Sequence, residues 1–146
     1  MRNSIEVKLP SIGENERLAR QIIAAFLTDA DPTVNELCDI KTAVSEAVTN
    51  AIIHGYRGKD GIITMSATYD NGTVEIIIKD KGVGISDVEK AREPMYTSQP
   101  EMERSGMGFT VMESFMDMLD VISAVGEGTK VIMRKTLECE HEQHRD

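Results

Sequence analysis

The sequence predicts an α/β (α+β) protein, a two-layer sandwich in which helices cover one face of a mixed, mostly antiparallel sheet. Two adjacent amphipathic helical segments follow a single short strand. Two pairs of β-rich segments are each closed by a tight glycine-bearing turn, and a third helical segment separates the pairs. The order β-α-α-β-β-loop-α-β-β is satisfied by one helical layer on one sheet.

Residues 4–9, SIEVKL, alternate apolar and polar side chains and stop at Pro10, as a short edge strand would. Residues 14–29 read as a helix with Leu18, Ile22, Ala25 and Phe26 on one face, expected toward the core. Asp31-Pro32-Thr33 breaks the chain. Thr33 can cap the next helix, with Glu36 completing a capping box. Leu37, Ile40, Val44, Val48 and Ala51 form the apolar stripe of that helix, which runs from about 34 to 54. Gly55 to Gly61 reads as a turn. Residues 62–69 and 73–80 are expected strands, joined by Asp70-Asn71-Gly72 with its hairpin-forming Asn-Gly pair. Residues 81–105 carry glycine and proline breaks and no clear periodicity, as functional loops often do. Residues 107–117 read as a helix, and residues 118–125 and 129–135 as a hairpin around Gly126-Glu127-Gly128. One domain over residues 1–136 is expected, with a frayed polar tail over 137–146.

The 146 residues, 40% hydrophobic and 28% charged, suffice for one domain with a real core. With only 4% aromatic residues, that core must be aliphatic and methionine-rich. No apolar run approaches the length of a membrane span. The N-terminus lacks the apolar stretch of a secretory signal. A cytoplasmic protein is therefore expected, with Cys38 and Cys139 as reduced thiols. Cys139, His141 and His144 sit in the expected frayed tail and receive no metal role. The net charge of −9 would repel a phosphate backbone, so no direct nucleic-acid partner is expected, whereas a basic protein partner would be attracted.

The candidate site begins on the second helix. Residues four apart share a helical face, and Glu46, Asn50 and His54 have that spacing. Glu46 lies opposite the apolar stripe and Asn50 about 40° further round, so both are expected to project away from the sheet. Mg²⁺ keeps several waters and prefers oxygen, so one amide oxygen with nucleotide phosphates can hold it, a role that suits Asn50. Glu46 can accept a proton from an attacking hydroxyl. His54, at the helix end, is placed to join the same site or to meet the C-terminal dipole. Asp80 ends a strand, where its carboxylate can accept from an exocyclic amine such as that of adenine. Gly82 and Gly84 follow, permitting close backbone approach to a ligand. Ser105-Gly106-Met107-Gly108 opens a helix whose first N–H groups favour phosphate oxygens. The segment from about 85 to 105, with Tyr96, Thr97, Ser98 and Arg104, reads as a lid over the nucleotide. Neither a Walker A loop nor a Rossmann fingerprint is present.

Taken in order, E-x-x-x-N-x-x-x-H at Glu46 to His54, D-x-G-x-G at Asp80 to Gly84, G-x-G at Gly106 to Gly108 and G-x-G-T at Gly126 to Thr129 resemble the GHKL group of ATP-binding domains. That group includes histidine-kinase catalytic domains and the gyrase-type and mismatch-repair ATPases. The resemblance covers about Glu36 to Arg134. Within the group, SEAVTNAIIHGY, KDKGVGI and RSGMGFTVMESFMD resemble the anti-sigma serine kinases of endospore-forming bacteria, over nearly the whole chain. This resemblance implies a sporulation regulator acting as a homodimer. It would bind and inhibit a sigma factor when ATP is present and phosphorylate a serine of an anti-anti-sigma protein, with ATP or ADP and Mg²⁺ as cofactors. It also implies Asn50 as the Mg²⁺ ligand and Glu46 as general base. Asp80, flanked by Gly82 and Gly84, would meet adenine, Gly106 and Gly108 the phosphates, and Thr129 would lie near adenine. No substrate-histidine domain precedes these motifs, which counts against a histidine kinase. The rival readings are a non-enzymatic, nucleotide-gated binding module and a histidine-kinase-like ATPase domain.

On the first helix, Arg20, Ile23 and Leu27 fall opposite the expected core face, with Glu16. Arginine is enriched at interface hot spots, and the resembled family uses this region for dimerisation and partner binding. Glu16, Arg20 and Ile23 are thus expected to form a partner surface, with Arg20 touching both competing partners.

Overall fold

The computed structural model describes residues 2–93 and 108–138. In chain order the elements are β1 (Arg2–Pro10), α1 (Glu14–Phe26), α2 (Val34–Asn50), β2 (Ile62–Asp70), β3 (Thr73–Asp80), α3 (Val88–Ala91), α4 (Phe109–Phe115), β4 (Met118–Ala124) and β5 (Gly128–Thr136). The strands form one sheet in the order β1-β2-β3-β5-β4. Every pairing is antiparallel, so among the described residues the sheet has none of the parallel pairing that a mixed sheet would bring.

Local chemistry accounts for much of this. Asn71 and Gly72 take φ of 48° and 91°, the left-handed pair that lets a two-residue turn follow the twist of β2 and β3. β1 lies at the sheet edge and ends on Pro10, which has no N–H to donate. Thr33 Oγ1 accepts the Glu36 N–H at 3.1 Å, and Glu36 Oε1 accepts the Thr33 N–H at 2.8 Å, forming the expected capping box.

Period-two alternation turns one sheet face inward. Its core is built in rungs: Ile5, Ala67, Ile76, Met133 and Leu119 align across all five strands, and Val7, Met65, Ile78, Val131 and Val121 align in the next rung. α2 adds Ile40, Val44 and Val48, each fully buried, from the stripe expected of it.

Three expectations require correction. The core face of α1 is centred on Ala19 and Ile23, continued by Leu27, all three fully buried; Ile22 and Phe26 pack half-buried against the core as expected, whereas Leu18 is 41% exposed and Ala25 is exposed. Ile23 therefore cannot belong to a partner surface. Apolar residues lie on both flanks of this helix, and its packing against α2 selects the flank carrying the small Ala19. Glu16 and Arg20 remain half-buried and pair with each other. Second, the chain is not frayed at residue 137. Leu137 is buried and donates its N–H to Gly72 O at 2.7 Å, and the Glu138 N–H donates to Glu36 Oε2 at 2.6 Å. Third, the segment after Gly84 is not all loop. Asp87 caps α3, which buries Ala91, and Arg92 pairs with Glu113 of α4. The rest of the expected lid, from residue 94, lies outside the described residues. No helix among the described residues is long and apolar enough to cross a membrane.

Candidate functional site

The inward sheet face continues past its apolar rungs to a polar one. Asp80 is aligned with Thr129, and Thr129 with Ser123, at the positions that follow Ile78, Val131 and Val121 with the same facing. The core face thus ends in a carboxylate and two hydroxyls. Asp80 is only 6% exposed. Burial pushes its carboxyl above the usual carboxylate range, and the N–H groups of Gly82 and Thr129 pull it part of the way back. The Gly82 N–H reaches Oδ1 at 2.8 Å.

The end of α2 meets this rung. After Asn50 the helix widens into a π-helical turn over Ala51–Gly55, a form frequent at functional sites. The turn brings Gly55 against Asp80, so closely that a Cβ at residue 55 would lie 2.9 Å from the carboxylate carbon. Gly82 is equally constrained, since a Cβ there would lie 2.1 Å from Gly55 O. The Val83 N–H donates to that same oxygen at 2.9 Å. Backbone packing against the helix end thus requires glycine at 82. Gly84, at φ 78°, lies against Ala124 O in the same manner, and the Gly126 N–H donates to Val83 O at 2.8 Å.

A pocket opens among these parts. Asn50, His54, Asp80, Gly84 and Thr129 line it, with Ala47, Ile78, Phe109 and Val131 supplying apolar walls. Asn50 and His54 are buried. Asn50 therefore lines the space between helix and sheet, not the solvent side its helical phase suggests, because the end of α2 shares this pocket with the polar rung. Glu46 is half-buried and lies beside Gly108, where a Cβ would come within 2.2 Å of its carboxylate oxygen. Gly108, at φ 70°, precedes α4. The site residues Thr97, Ser105, Gly106 and Met107 lie outside the described residues. The structure thus gathers Asn50, His54, Asp80, Gly84 and Thr129 in one pocket, with Glu46 beside it and Gly82 supporting it from behind.

Sequence reasoning missed Gly55, Phe109 and Ser123. Gly55 follows His54 as an unremarked turn residue, and Phe109 follows the glycine pair. Ser123 could have been found by counting two positions beyond Val121 on the inward face.

Chemically, the pocket offers buried acceptors on an apolar wall, which fits the amine edge of a base. Among the described residues no group of three His, Cys, Asp or Glu could hold a metal ion. The Asn50 amide offers the pocket an oxygen of the type Mg²⁺ accepts beside phosphate oxygens.

Fold and pocket together define a nucleotide-binding domain of the histidine kinase-like ATPase class, and the family described by that name matches residues 9–135. The anti-sigma F factor of Clostridium acetobutylicum is 53% identical over 135 residues, covering 92% of this chain and 94% of that protein. The anti-sigma F factor of Halalkalibacterium halodurans is 52% identical over 138 residues, covering 94% of each. The chain belongs to the histidine kinase-like ATPase domain family and, within it, to the family of the anti-sigma F factors. Among solved structures, the RsbU and RsbW domains of a Mycobacterium tuberculosis protein superpose with a TM-score of 0.68 at 21% identity. That match covers 92% of this chain and 32% of the larger one. The catalytic domain of histidine kinase ThkA superposes with a TM-score of 0.58 at 16% identity, covering 91% and 96%. Both likenesses concern the fold.

Proposed function

We propose that this chain is a cytoplasmic anti-sigma factor that is also an ATP-dependent protein serine kinase. It binds and inhibits a sporulation sigma factor, and it phosphorylates and so inactivates an anti-anti-sigma protein, working as a homodimer. The observation that carries the reading is the polar rung, in which a buried carboxylate at Asp80 is aligned with Thr129 and faces Asn50 across one pocket. The relatives named as anti-sigma F factors support the regulatory half, and the net charge of −9 suits basic segments of a sigma factor.

In this reading Asp80 accepts from the adenine amine, and Thr129 contacts the same edge. Asn50 and His54 hold the nucleotide from the helix side. Thr97, Ser105, Gly106, Met107 and Gly108 serve the phosphate side. Mg²⁺, when bound through Asn50, supplies positive charge against the phosphate oxygens. Glu46 takes the proton of the substrate hydroxyl as the serine oxygen bonds to the γ-phosphorus and the bond to departing ADP breaks. Positioning and electrostatics supply most of the acceleration. Arg20 and Glu16 contact the protein partners.

The test is titration of labelled ATP with Mg²⁺ into the wild type and Asn50→Ala, followed by phosphotransfer to the anti-anti-sigma protein. Mg²⁺-dependent binding lost in the variant is expected. Glu46→Ala should bind ATP and transfer nothing. Normal transfer by that variant overturns the base assignment, and acid-labile phosphate on the product would favour a histidine acceptor.

A further inference from the structure

The Ser123 hydroxyl touches three groups, each at 2.8 Å: the Ile85 N–H, the Gly128 carbonyl oxygen and Thr129 Oγ1. A hydroxyl has one proton to donate and two lone pairs. An amide N–H can only donate and a carbonyl can only accept. The Ser123 proton is therefore committed to Gly128 O, and one lone pair to the Ile85 N–H. The remaining lone pair faces Thr129, so Thr129 must be the donor in that contact. Its own proton is spent on Ser123, and its oxygen presents only lone pairs to the pocket it lines.

We propose that Ser123 is a positioning residue for base specificity: by holding the Thr129 hydroxyl as a pure acceptor, it makes the pocket prefer a purine with an amine at C6 over one with a carbonyl there. The proposal rests on the adenine-nucleotide reading of the site. Asp80 and Thr129, neighbours on the same rung, then both present acceptors to the base edge. Adenine's amine satisfies them. The C6 carbonyl of hypoxanthine or guanine is a third acceptor where adenine has a two-hydrogen donor, and the one donor of that edge, N1–H, can satisfy at most one of the two rung acceptors. Without Ser123, the Thr129 hydroxyl is free to rotate and donate to that carbonyl. Ser123 would not touch the base and would act only through Thr129. The same hydroxyl ties Ile85, just beyond Gly84, to the β4–β5 hairpin, so the rung and the chain leaving β3 are fastened at one atom.

The experiment compares ATP with ITP, which differ at the C6 edge, by equilibrium titration with Mg²⁺ into the full chain. Wild type should favour ATP. Ser123→Ala should narrow the ITP-to-ATP ratio of Kd values by about 2- to 10-fold, the worth of one hydrogen bond, chiefly by tightening ITP. Ser123→Thr, which keeps the hydroxyl, should retain the wild-type ratio. In a Thr129→Val background the Ser123→Ala change should have no further effect on the ratio, because the two residues act as one unit. If Ser123→Ala does not fold, Ser123→Cys, whose sulfur is a poor partner for Thr129, should narrow the ratio instead. An unchanged ratio, or an equal loss of both nucleotides, overturns the proposal. A wild type that binds neither nucleotide overturns the site reading itself, and binding of ATP without preference over ITP overturns the acceptor-rung argument while leaving the nucleotide site standing.

Discussion

Replacing Asp80 by Asn separates two consequences of one buried carboxylate. Asn keeps one oxygen and exchanges the other for an NH₂ donor. The Gly82 and Thr129 N–H groups already face the carboxylate, so in the proposed complex one of these two or the ligand amine must then face another donor. Losing a hydrogen bond to a charged acceptor costs about 1.5–3 kcal/mol, or about 12- to 160-fold in ATP affinity. With ATP at about 100 times the wild-type Kd, binding stabilises the wild type by about 2.7 kcal/mol, against about 0.3–1.3 kcal/mol in the variant. For a domain of this size the thermal shift should fall from about 5–11 °C to about 1–5 °C. The ligand-free proteins should differ in pH dependence. Because the folded carboxyl titrates above its ordinary 3.8, the stability this group contributes is complete below that value. It is lost as pH rises through the raised folded value. Asp80→Asn lacks that loss, so the melting temperature of the variant relative to wild type should climb between strongly acid and neutral pH. Differential scanning calorimetry over that range, with and without Mg²⁺ and ATP, measures both effects. An undiminished ATP shift would refute the adenine contact, and a melting difference that ignores pH would refute the account of a carboxylate raised by burial.

Gly82→Ala places a Cβ 2.1 Å from Gly55 O. Because backbone meets backbone there, the cost should be about 1–3 kcal/mol, read as a lower midpoint in urea even without nucleotide. Ile23→Ala should lose about 2–5 kcal/mol and Leu18→Ala only about 0.5 kcal/mol; the opposite order would restore the rejected face of α1. Glu36→Ala keeps the Thr33 cap but removes the side-chain half of the capping box, the acceptor for the Thr33 N–H, and the acceptor for the Glu138 N–H. It should cost about 1–3 kcal/mol and speed amide exchange at Glu138, whereas unchanged protection there would show that the tie is dispensable.

The elements readable from the sequence are those whose cause is local. Asn71-Gly72 needs only its own dihedral preferences to make a turn, and Thr33 with Glu36 needs only three residues to make a cap. Alternation in residues 62–69 and 73–80 marks strands whatever they pair with. Glu46, Asn50 and Asp80 stand out in the sequence as residue types at set spacings, and the family resemblance rests on those same residues.

What only the tertiary structure decided depends on where elements meet. α1 carries apolar residues on two flanks, so its own sequence leaves two orientations, and the choice falls to α2. Asn50 has a helical phase that points it away from the apolar stripe, yet it is buried because the π-helical turn over Ala51–Gly55 and the end of the sheet close around it. Gly55 and Gly82, 27 positions apart, constrain each other through a backbone contact that neither announces. Asp80, Thr129 and Ser123 come from three strands and become one rung only through antiparallel register, a property of pairing rather than of any segment. The sequence alone supplied the acceptors and the glycines. The long-range pairing determined which of them share a wall, since a hydrogen bond requires its partners within about 3 Å and chain order does not set that distance.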